Sequence, residues 1–501
     1  MITIFAAAAL ASAVSAANCT ALTGHSLDSA RITSAEHVPE GPFVAPANSG
    51  ANANVDQAPI PAHCRVRMVL TPTAESNINV ELWLPADEWN GRFLAVGNGG
   101  WAGSIQGYGD MRMALRRGYA TAGTDTGHSA ADGPNGMFAL NNDEKLVDFA
   151  YRAIHEMTVK SKEVITQAYG AEAEYAYFKG CSTGGRQGLM SAQRYPEDFD
   201  GIIAGAPANR HIDMHVAQSY LHIFNNRNPE YANSYQYTAN LINRSVLQAC
   251  DVLGDGFLNE PRQCNFDFQD ITCRKDAGDS SFSESCLWEH QSIETADYYG
   301  EGLKTSDGDL VFPGQAYGSP IPRLPFDFQP PTPFLWDTIR ILGFQDPNYS
   351  WRDFDLDRDL PVIRERVGFV DATDPDLRAF RDNGGKLLMY HGWMDTAISP
   401  KNAVQYYESV VQEMGETDDF LKLYMVPGMG HCGGGPGPHE FELLTVLETW
   451  HERGQAPDDL LGRNPDSRLE RPLCPYPQTA VYDGSGDLKD ASNWSCEAFE
   501  E

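Results

Sequence analysis

Between Cys64 and Val96 apolar and polar positions alternate with a period of two. Arg65-Val66-Arg67-Met68-Val69-Leu70, Asn79-Val80-Glu81-Leu82-Trp83-Leu84 and Arg92-Phe93-Leu94-Ala95-Val96 each read as a strand. The third run leads straight into Gly97-Asn98-Gly99-Gly100, and Arg117-Gly118-Tyr119-Ala120-Thr121-Ala122 supplies another short strand signal. From Asp143 to Tyr169 the period lengthens to that of an amphipathic helix, with Leu146, Phe149, Ala150, Ile154, Met157 and Val164 on one face. Ala176-Tyr177-Phe178-Lys179 is a strand running into Gly180-Cys181-Ser182. Gly188-Leu189-Met190-Ser191-Ala192 continues as helix, and Gly201-Ile202-Ile203-Ala204-Gly205 is the next strand. Strands that alternate with helices imply βαβ units, hence an α/β fold on a parallel sheet.

After Pro207 the texture changes. The chain becomes rich in Asn, Asp, Pro and aromatic residues, carries four cysteines and loses the alternation until Asn383-Gly384-Gly385-Lys386-Leu387-Leu388-Met389-Tyr390-His391 resumes a buried strand; Phe420 to Val426 follows as another. The economical partition is an α/β core from 18 to 207, an inserted lid from 208 to 372, and the second part of the core from 373 to 501. Residues 1–17 read as a signal peptide, an alanine-rich apolar run that ends in small residues but lacks a basic start. The alternative there is a buried N-terminal helix. No other stretch approaches the ~18–20 apolar residues of a membrane span, so the expectation is an exported, soluble protein, secreted or periplasmic.

A formal net charge of −32 argues against nucleic acid, which needs a basic face to neutralise phosphates. The acidic surface says little about substrate, except that an anion would need a local site. The ten cysteines of an exported chain favour disulfides. There is no CxxC pair, and His290 alone lies near the cysteines at 250–286, which disfavours zinc. Asn18, Asn243, Asn348 and Asn493 head N-x-Ser/Thr sequons.

Gly180-Cys181-Ser182-Thr183-Gly184 fits G-x-S-x-G between a strand and a helix, the setting that lifts a serine hydroxyl out of a sheet at a helix N-terminus. The alternative is a glycine-rich structural turn. A serine nucleophile needs a base, and the base needs an orienting carboxylate. In the α/β-hydrolase arrangement these follow in the order Ser, acid, His, each after a strand. Asp395 follows the strand 386–390 and His431 follows the strand 420–426, which makes Ser182, Asp395 and His431 the candidate triad. His391 also follows a strand but precedes the acid, so it reads as a structural histidine packed near the site; His128 reads as a loop stabiliser. The oxyanion of an acyl transfer needs two donors. The amides of Thr183, after the nucleophile, and of Gly100, in the early glycine-rich loop, are the candidates, with a tight turn as the bland alternative for the latter. Cys181 precedes the serine and Cys432 follows the histidine. If Ser182 and His431 meet within hydrogen-bond reach, these cysteines come within disulfide range and would staple nucleophile to base.

The runs Gly-Cys-Ser-x-Gly-Gly at 180–185, Tyr-His-Gly-Trp-x-Asp at 390–395 and Gly-His-Cys at 430–432 resemble the CS-D-HC signature of the tannase and feruloyl esterase family, which includes mono(2-hydroxyethyl) terephthalate hydrolases. The resemblance covers nearly the whole mature chain. It implies an α/β-hydrolase with a large lid that holds the aromatic acyl group, and a serine carboxylic ester hydrolase acting on small esters of phenolic acids. It also implies the pairs Cys181–Cys432, Cys19–Cys64, Cys250–Cys264, Cys273–Cys286 and Cys474–Cys496. No catalytic cofactor is implied, and a monomer or homodimer is expected. Lids of the family carry a calcium loop; here the matching stretch, Cys250-Asp251-Val252-Leu253-Gly254-Asp255-Gly256-Phe257, is shorter by about three residues and lacks the middle acid. Asp251, Asp255 and the Phe257 carbonyl are the candidate calcium ligands, short of the usual 6–8 oxygens. Arg323, Arg340, Arg352 and Arg358 of the lid are candidates to meet a substrate carboxylate, a solvated surface arginine being the commoner case. Two further readings are a non-catalytic polyphenol- or carbohydrate-binding protein on a hydrolase scaffold, and a peptidase of the same fold.

Overall fold

A computed structural model describes residues 13–47, 49, 58–227, 235–273, 286, 287, 289, 292, 298–320 and 331–499; the first twelve residues of the expected signal peptide and Arg323 lie outside them. The chain forms two compact units, one of residues 1–133, 142–179 and 197–200, the other of 134–141, 180–196 and 201–501. Residues 208–372 therefore fall within the second unit rather than forming a unit of their own.

The first unit carries β1 (Ala30–Val38), β2 (His63–Leu70), β3 (Ile78–Pro85), β4 (Arg92–Val96), β5 (Ala120–Thr124) and β6 (Tyr175–Cys181), the last two residues of β6 belonging to the second unit. Their order is β1-β2-β3-β5-β4-β6. β4 runs parallel to β5 and β6, as alternation with helices leads one to expect. β1, β2, β3 and β5 are instead antiparallel neighbours, because links such as 71–77 are too short for a crossover helix. The strand read at 117–122 lies at 120–124, since Arg117 and Gly118 close the helix Tyr108–Arg116, their N–H groups donating to Ala114 and Leu115 at 3.0 Å. The long amphipathic helix is present as Asp143–Val147, a π turn at Asp148–Arg152, and Ala153–Tyr169, with the six apolar residues of its face buried. The π turn coincides with Asp148, which is buried and accepts from Ser76 Oγ (3.1 Å) and Arg152 Nε (2.6 Å).

In the second unit β7 (Gly201–Gly205), the short β8 (Leu303–Lys304) and β9 (Leu310–Phe312), β10 (Lys386–Gly392) and β11 (Leu421–Val426) precede four C-terminal strands. β10 lies between β7 and β11, parallel to both, with Leu387 opposite Ile202 and Leu421. These strands are buried almost throughout, as strands covered on both faces must be. Helices Thr183–Arg194 and Leu444–Arg453 pack on β7 and helix Pro400–Met414 on β10, each after a strand that ends in the unit's loops. The segment 208–372 contributes helices His211–Arg227, Tyr235–Cys250 and Leu356–Val367 and its own small core of Ile242, Val246, Leu258, Phe268, Leu287 and Tyr299. The chain finishes in two antiparallel pairs, β12 (Leu460–Asn464) with β13 (Leu469–Leu473), and β14 (Thr479–Tyr482) with β15 (Trp494–Glu497). The disulfides are Cys19–Cys64, Cys181–Cys432, Cys250–Cys264, Cys273–Cys286 and Cys474–Cys496, the pairs that the resemblance implies. Among the described residues no helix is long and apolar enough to cross a membrane.

Candidate active site

Ser182 sits between β6 and the helix Thr183–Arg194, at φ 63° and ψ −121°. That backbone conformation is costly for a non-glycine residue and is held by its surroundings. The Ser182 N–H donates to Gly205 O at 3.0 Å, and its carbonyl accepts from Ala208 N (3.0 Å) and Arg186 N (3.1 Å). The turn is so tight that a Cβ on Gly180 would lie 2.6 Å from the Gly184 backbone, which is why this position of the motif takes no side chain. Thr183, buried, opens the helix, so its amide belongs to the first turn, where N–H groups have no intrahelical acceptor.

Asp395 follows β10 in a turn closed by its own N–H on Gly392 O (3.1 Å). The loop after β10 is sewn to the loop after β11, with Trp393 N donating to Val426 O and Met394 N to Met429 O, both at 2.9 Å. A Cβ on Gly392 would fall 2.2 Å from Met429 O, so only glycine permits that approach. The Asp395 carboxylate is fully buried and receives four donors. Oδ1 accepts from the amides of Ala397 (2.8 Å) and Ile398 (3.0 Å). Oδ2 accepts from His431 Nδ1 (2.7 Å) and His391 Nε2 (3.0 Å). Burial pushes its pKa up, but the hydrogen bonds from His391 and His431 more than offset this and hold it well below the usual carboxylate range.

With Nδ1 donating to Asp395, His431 keeps Nε2 available as an acceptor, the tautomer a general base needs. Its side chain is 30% exposed, against 0% for Asp395. Cys432 is bonded to Cys181 with the two Cα atoms 5.9 Å apart, so the residue after the histidine is tied to the residue before the serine. His391, read from sequence as a packing residue, is more than that. Its Nε2 faces two acceptors, Asp395 Oδ2 and Ile398 O (3.2 Å), and so carries the proton. The i, i+4 spacing of His391 and Asp395 across a post-strand turn was the available signal. Asn464 was also missed: its Nδ2 lies within 3.3, 3.1 and 2.9 Å of the carbonyls of Gly435, Pro436 and Gly437, bracing the loop that follows His431.

Gly100 lies in the first unit, in the turn after β4, at φ 55°. Gly97 N donates to Lys179 O at 2.9 Å and Gly99 N to Gln106 Oε1 at 2.7 Å. His128 stabilises the same loop, its Nε2 donating to Trp101 O at 2.7 Å, and burial pushes its pKa down to about 4. Of the arginines that the sequence offers to a substrate carboxylate, Arg340 pairs with Asp337 (2.7 Å), Arg358 with Asp359 (2.6 Å), and Arg352 stacks on Trp351 (4.3 Å).

Three of the four carboxylate oxygens of the candidate calcium loop are held in other contacts, and the fourth, Asp255 Oδ1, is buried without a hydrogen-bond partner. Asp251 Oδ1 and Oδ2 accept from the amides of Gly254 (2.8 Å) and Gly256 (2.9 Å). Asp255 Oδ2 accepts from Arg471 Nη2 at 2.9 Å. Asp251, Asp255 and the Phe257 carbonyl do not fit a calcium ion, because Asp255 Oδ1 is the single carboxylate oxygen left over against the ~6–8 oxygens the ion takes, and a guanidinium already lies at hydrogen-bond distance from the same carboxylate. Among the described residues no group of three His, Cys, Asp or Glu side chains is arranged to hold a metal.

The family described as tannase and feruloyl esterase matches residues 64–319 and 338–497. A probable feruloyl esterase B-2 of Aspergillus terreus is 32% identical over 94% of this chain and 93% of its own length. An uncharacterized esterase of Xanthomonas campestris is 34% identical over 98% of this chain and 92% of its own. The crystal structure of feruloyl esterase B from Aspergillus oryzae superposes with a TM-score of 0.84 at 28% identity, covering 96% of this chain and 100% of that one.

Proposed function

The chain belongs to the tannase and feruloyl esterase family, with the α/β-hydrolase fold, and is a carboxylic ester hydrolase; from that premise we propose that it is exported and cleaves esters of phenolic acids through Ser182, His431 and Asp395. One observation carries the assignment. His431 Nδ1 lies 2.7 Å from a buried carboxylate, while its neighbour Cys432 is covalently joined to the residue before a serine held at φ 63°. No ordinary turn needs that combination.

In the first step His431 Nε2 takes the proton of Ser182 Oγ as the oxygen bonds to the ester carbonyl carbon. The negative charge that develops on the carbonyl oxygen is met by the Thr183 amide, the donor that follows the nucleophile in the family pattern. The bond to the alcohol oxygen then breaks, and the proton on His431 passes to the leaving alkoxide. A water molecule repeats the cycle on the acyl-serine and releases the acid. Asp395, kept ionised by its two imidazole donors, fixes the His431 tautomer and steadies the imidazolium. Residues 208–372 form the lid in this reading and set which acyl group fits. Five disulfides suit an oxidising compartment, which supports export, periplasmic or extracellular.

The test is a turnover panel of methyl gallate, methyl ferulate, chlorogenate and mono(2-hydroxyethyl) terephthalate, with Ser182→Ala as the paired blank. Hydrolysis of one or more aromatic esters, lowered about 10³-fold or more in a Ser182→Ala protein that remains folded, is expected. Full activity in Ser182→Ala removes the nucleophile assignment. Turnover confined to the terephthalate monoester selects the hydrolases of that substrate as the nearer relatives.

A further inference from the structure

Arg471 lies on β13, remote in sequence from the Cys250–Cys264 loop, yet its side chain is completely buried against that loop. Nη2 donates to Asp255 Oδ2 at 2.9 Å and Nη1 to Asn259 Oδ1 at 3.0 Å. The guanidinium is stacked at 3.8 Å from the Trp494 ring centroid and 5.2 Å from that of Phe257. A buried arginine with one ion pair, one amide acceptor and two aromatic faces is a cation held by both terminal nitrogens of its fork and by its flat faces, Nε alone being without a partner. Of the loop's other acids, Asp251 turns both oxygens to backbone amides and Glu260 pairs with Arg262. Access is not what excludes a metal: an open cleft of about 780 Å³, lined among others by Asp255, Asn464, Asp466, Arg471, Asp487 and Lys489, reaches the site. A divalent ion within the ~2.3–2.6 Å coordination distance of Asp255 would face the guanidinium across the same carboxylate, and like charges at that range repel.

We propose that Arg471 is the built-in cation of this loop, standing where the resembled family places calcium, so that the lid of this chain is ordered without a metal. The loop's shortening and the buried arginine are then two halves of one arrangement. Losing the middle acid removes a ligand, and the guanidinium supplies the positive charge that the remaining acid requires. The arrangement also reaches the loop of His431. The Phe257 ring packs against Gly428, where its Cδ2 is 2.7 Å from the place a Cβ would occupy. Only this consequence rests on the reading of His431 as the base; the cation assignment does not.

The test uses the full chain and two readouts that are independent of ester turnover: calcium content by elemental analysis after desalting, and Tm in excess EDTA against excess CaCl2. The wild type is expected to contain no stoichiometric calcium and to keep its Tm within about 1 °C between the two conditions, since an ion that binds only the folded state would raise it. Arg471→Met is expected to lower Tm by several degrees, as removal of one partner strands a buried carboxylate. Stoichiometric calcium in the wild type, a Tm that falls in EDTA and returns with calcium, or an unchanged Tm in Arg471→Met each overturns the proposal. Should Arg471→Met not fold, Arg471→Lys keeps the charge but loses the fork. Its Tm is expected below wild type and insensitive to calcium, and a wild-type Tm there likewise overturns the assignment. Because neither readout involves an ester, failure here leaves the Ser182 reading untouched, and a silent substrate panel leaves this one untouched.

Discussion

Asp125 follows β5 in the first unit and Asp395 follows β10 in the second, and both carboxylates are buried among hydrogen-bond donors. Asp125 Oδ1 accepts from the amides of Asn79 and Gly127, both at 2.9 Å, and Oδ2 accepts from Asn79 Nδ2 at 2.6 Å. Asp395 takes two amides as well, but its other oxygen faces His431 and His391. The consequences are opposite. Burial pushes Asp125 up to about 6 despite its donors, whereas Asp395 is held well below the ordinary range. Amides stabilise a carboxylate only by their dipoles, while imidazoles can also take up a proton and answer charge with charge. The same post-strand position thus serves once to close a turn and once to hold a charge ready for chemistry.

The largest expected break in this contrast comes from Asp395→Asn. Both histidines share Oδ2 and both backbone amides share Oδ1, so an amide there must turn its NH2 toward one pair of donors; with its oxygen on the Ala397 and Ile398 amides it presents a donor to His431, whose tautomer is no longer fixed. Loss of kcat by about 10³–10⁴-fold is expected, with little change in KM, checked by steady-state kinetics on whichever panel ester turns over. Asp125→Asn should leave kcat within a few-fold. If the two substitutions cost the same, the difference between the carboxylates is not functional.

A smaller effect isolates His391, which acts on the reaction through Asp395 and is a positioning residue. Removing its N–H lets burial weigh more heavily on Asp395, so the carboxyl pKa rises and the acid limb of the kcat/KM profile moves to higher pH. His391→Ala is expected to lower kcat by about 10–100-fold and shift that limb upward. His391→Gln, which can still present an N–H, should recover part of both. A residue that only filled space would lower Tm without moving the limb. Coincident pH profiles for wild type and His391→Ala would therefore end this role for His391.

What could be read beforehand follows from where the constraints lie. Ser182, Asp395 and His431 were legible because each follows a buried strand whose period shows in the sequence, and because Cys181 and Cys432 mark two of them independently. The second role of His391 was hidden, since a chain-order rule assigns one histidine per triad and cannot count the donors that one carboxylate receives. The antiparallel start of the first unit was not legible, because β1 carries no alternation that was read as a strand and the period of β2 and β3 gives no strand direction. Arg471 was invisible for a different reason. Its partners Asp255, Asn259 and Trp494 are spread over the chain, and no local period brings them together. The segment 208–372 is set by such non-local contacts, by stacking of Tyr299 on Tyr317 and Phe268 (5.6 and 5.7 Å) and by disulfides that each close a short span, rather than by strand periodicity.

The smallest effect expected is on stability, and it reads the sign of the two shifts directly. Asp125 has a folded pKa near 6, above its unfolded value of about 4. The folded state holds the extra proton between these values, so the contribution of Asp125 is fully present below about pH 4 and is lost as pH rises through 6. Asp395 has the reverse sign. Its folded pKa is depressed, so its contribution is present above about pH 4 and is lost as pH falls below it. Wild-type Tm minus that of Asp125→Asn, measured by calorimetry from pH 4 to 7, should therefore start near zero and become negative as pH rises. The Asn side chain cannot ionise, and it reproduces the neutral acid that the wild type buries at the low end of the range. Should the difference instead stay level or turn positive as pH rises, the three donors around Asp125 are enough to hold it charged. Amides alone would then do for a buried carboxylate what the two imidazoles do for Asp395, and the distinction between the two turns would lie in His431 and His391 as proton carriers rather than in the charge they stabilise.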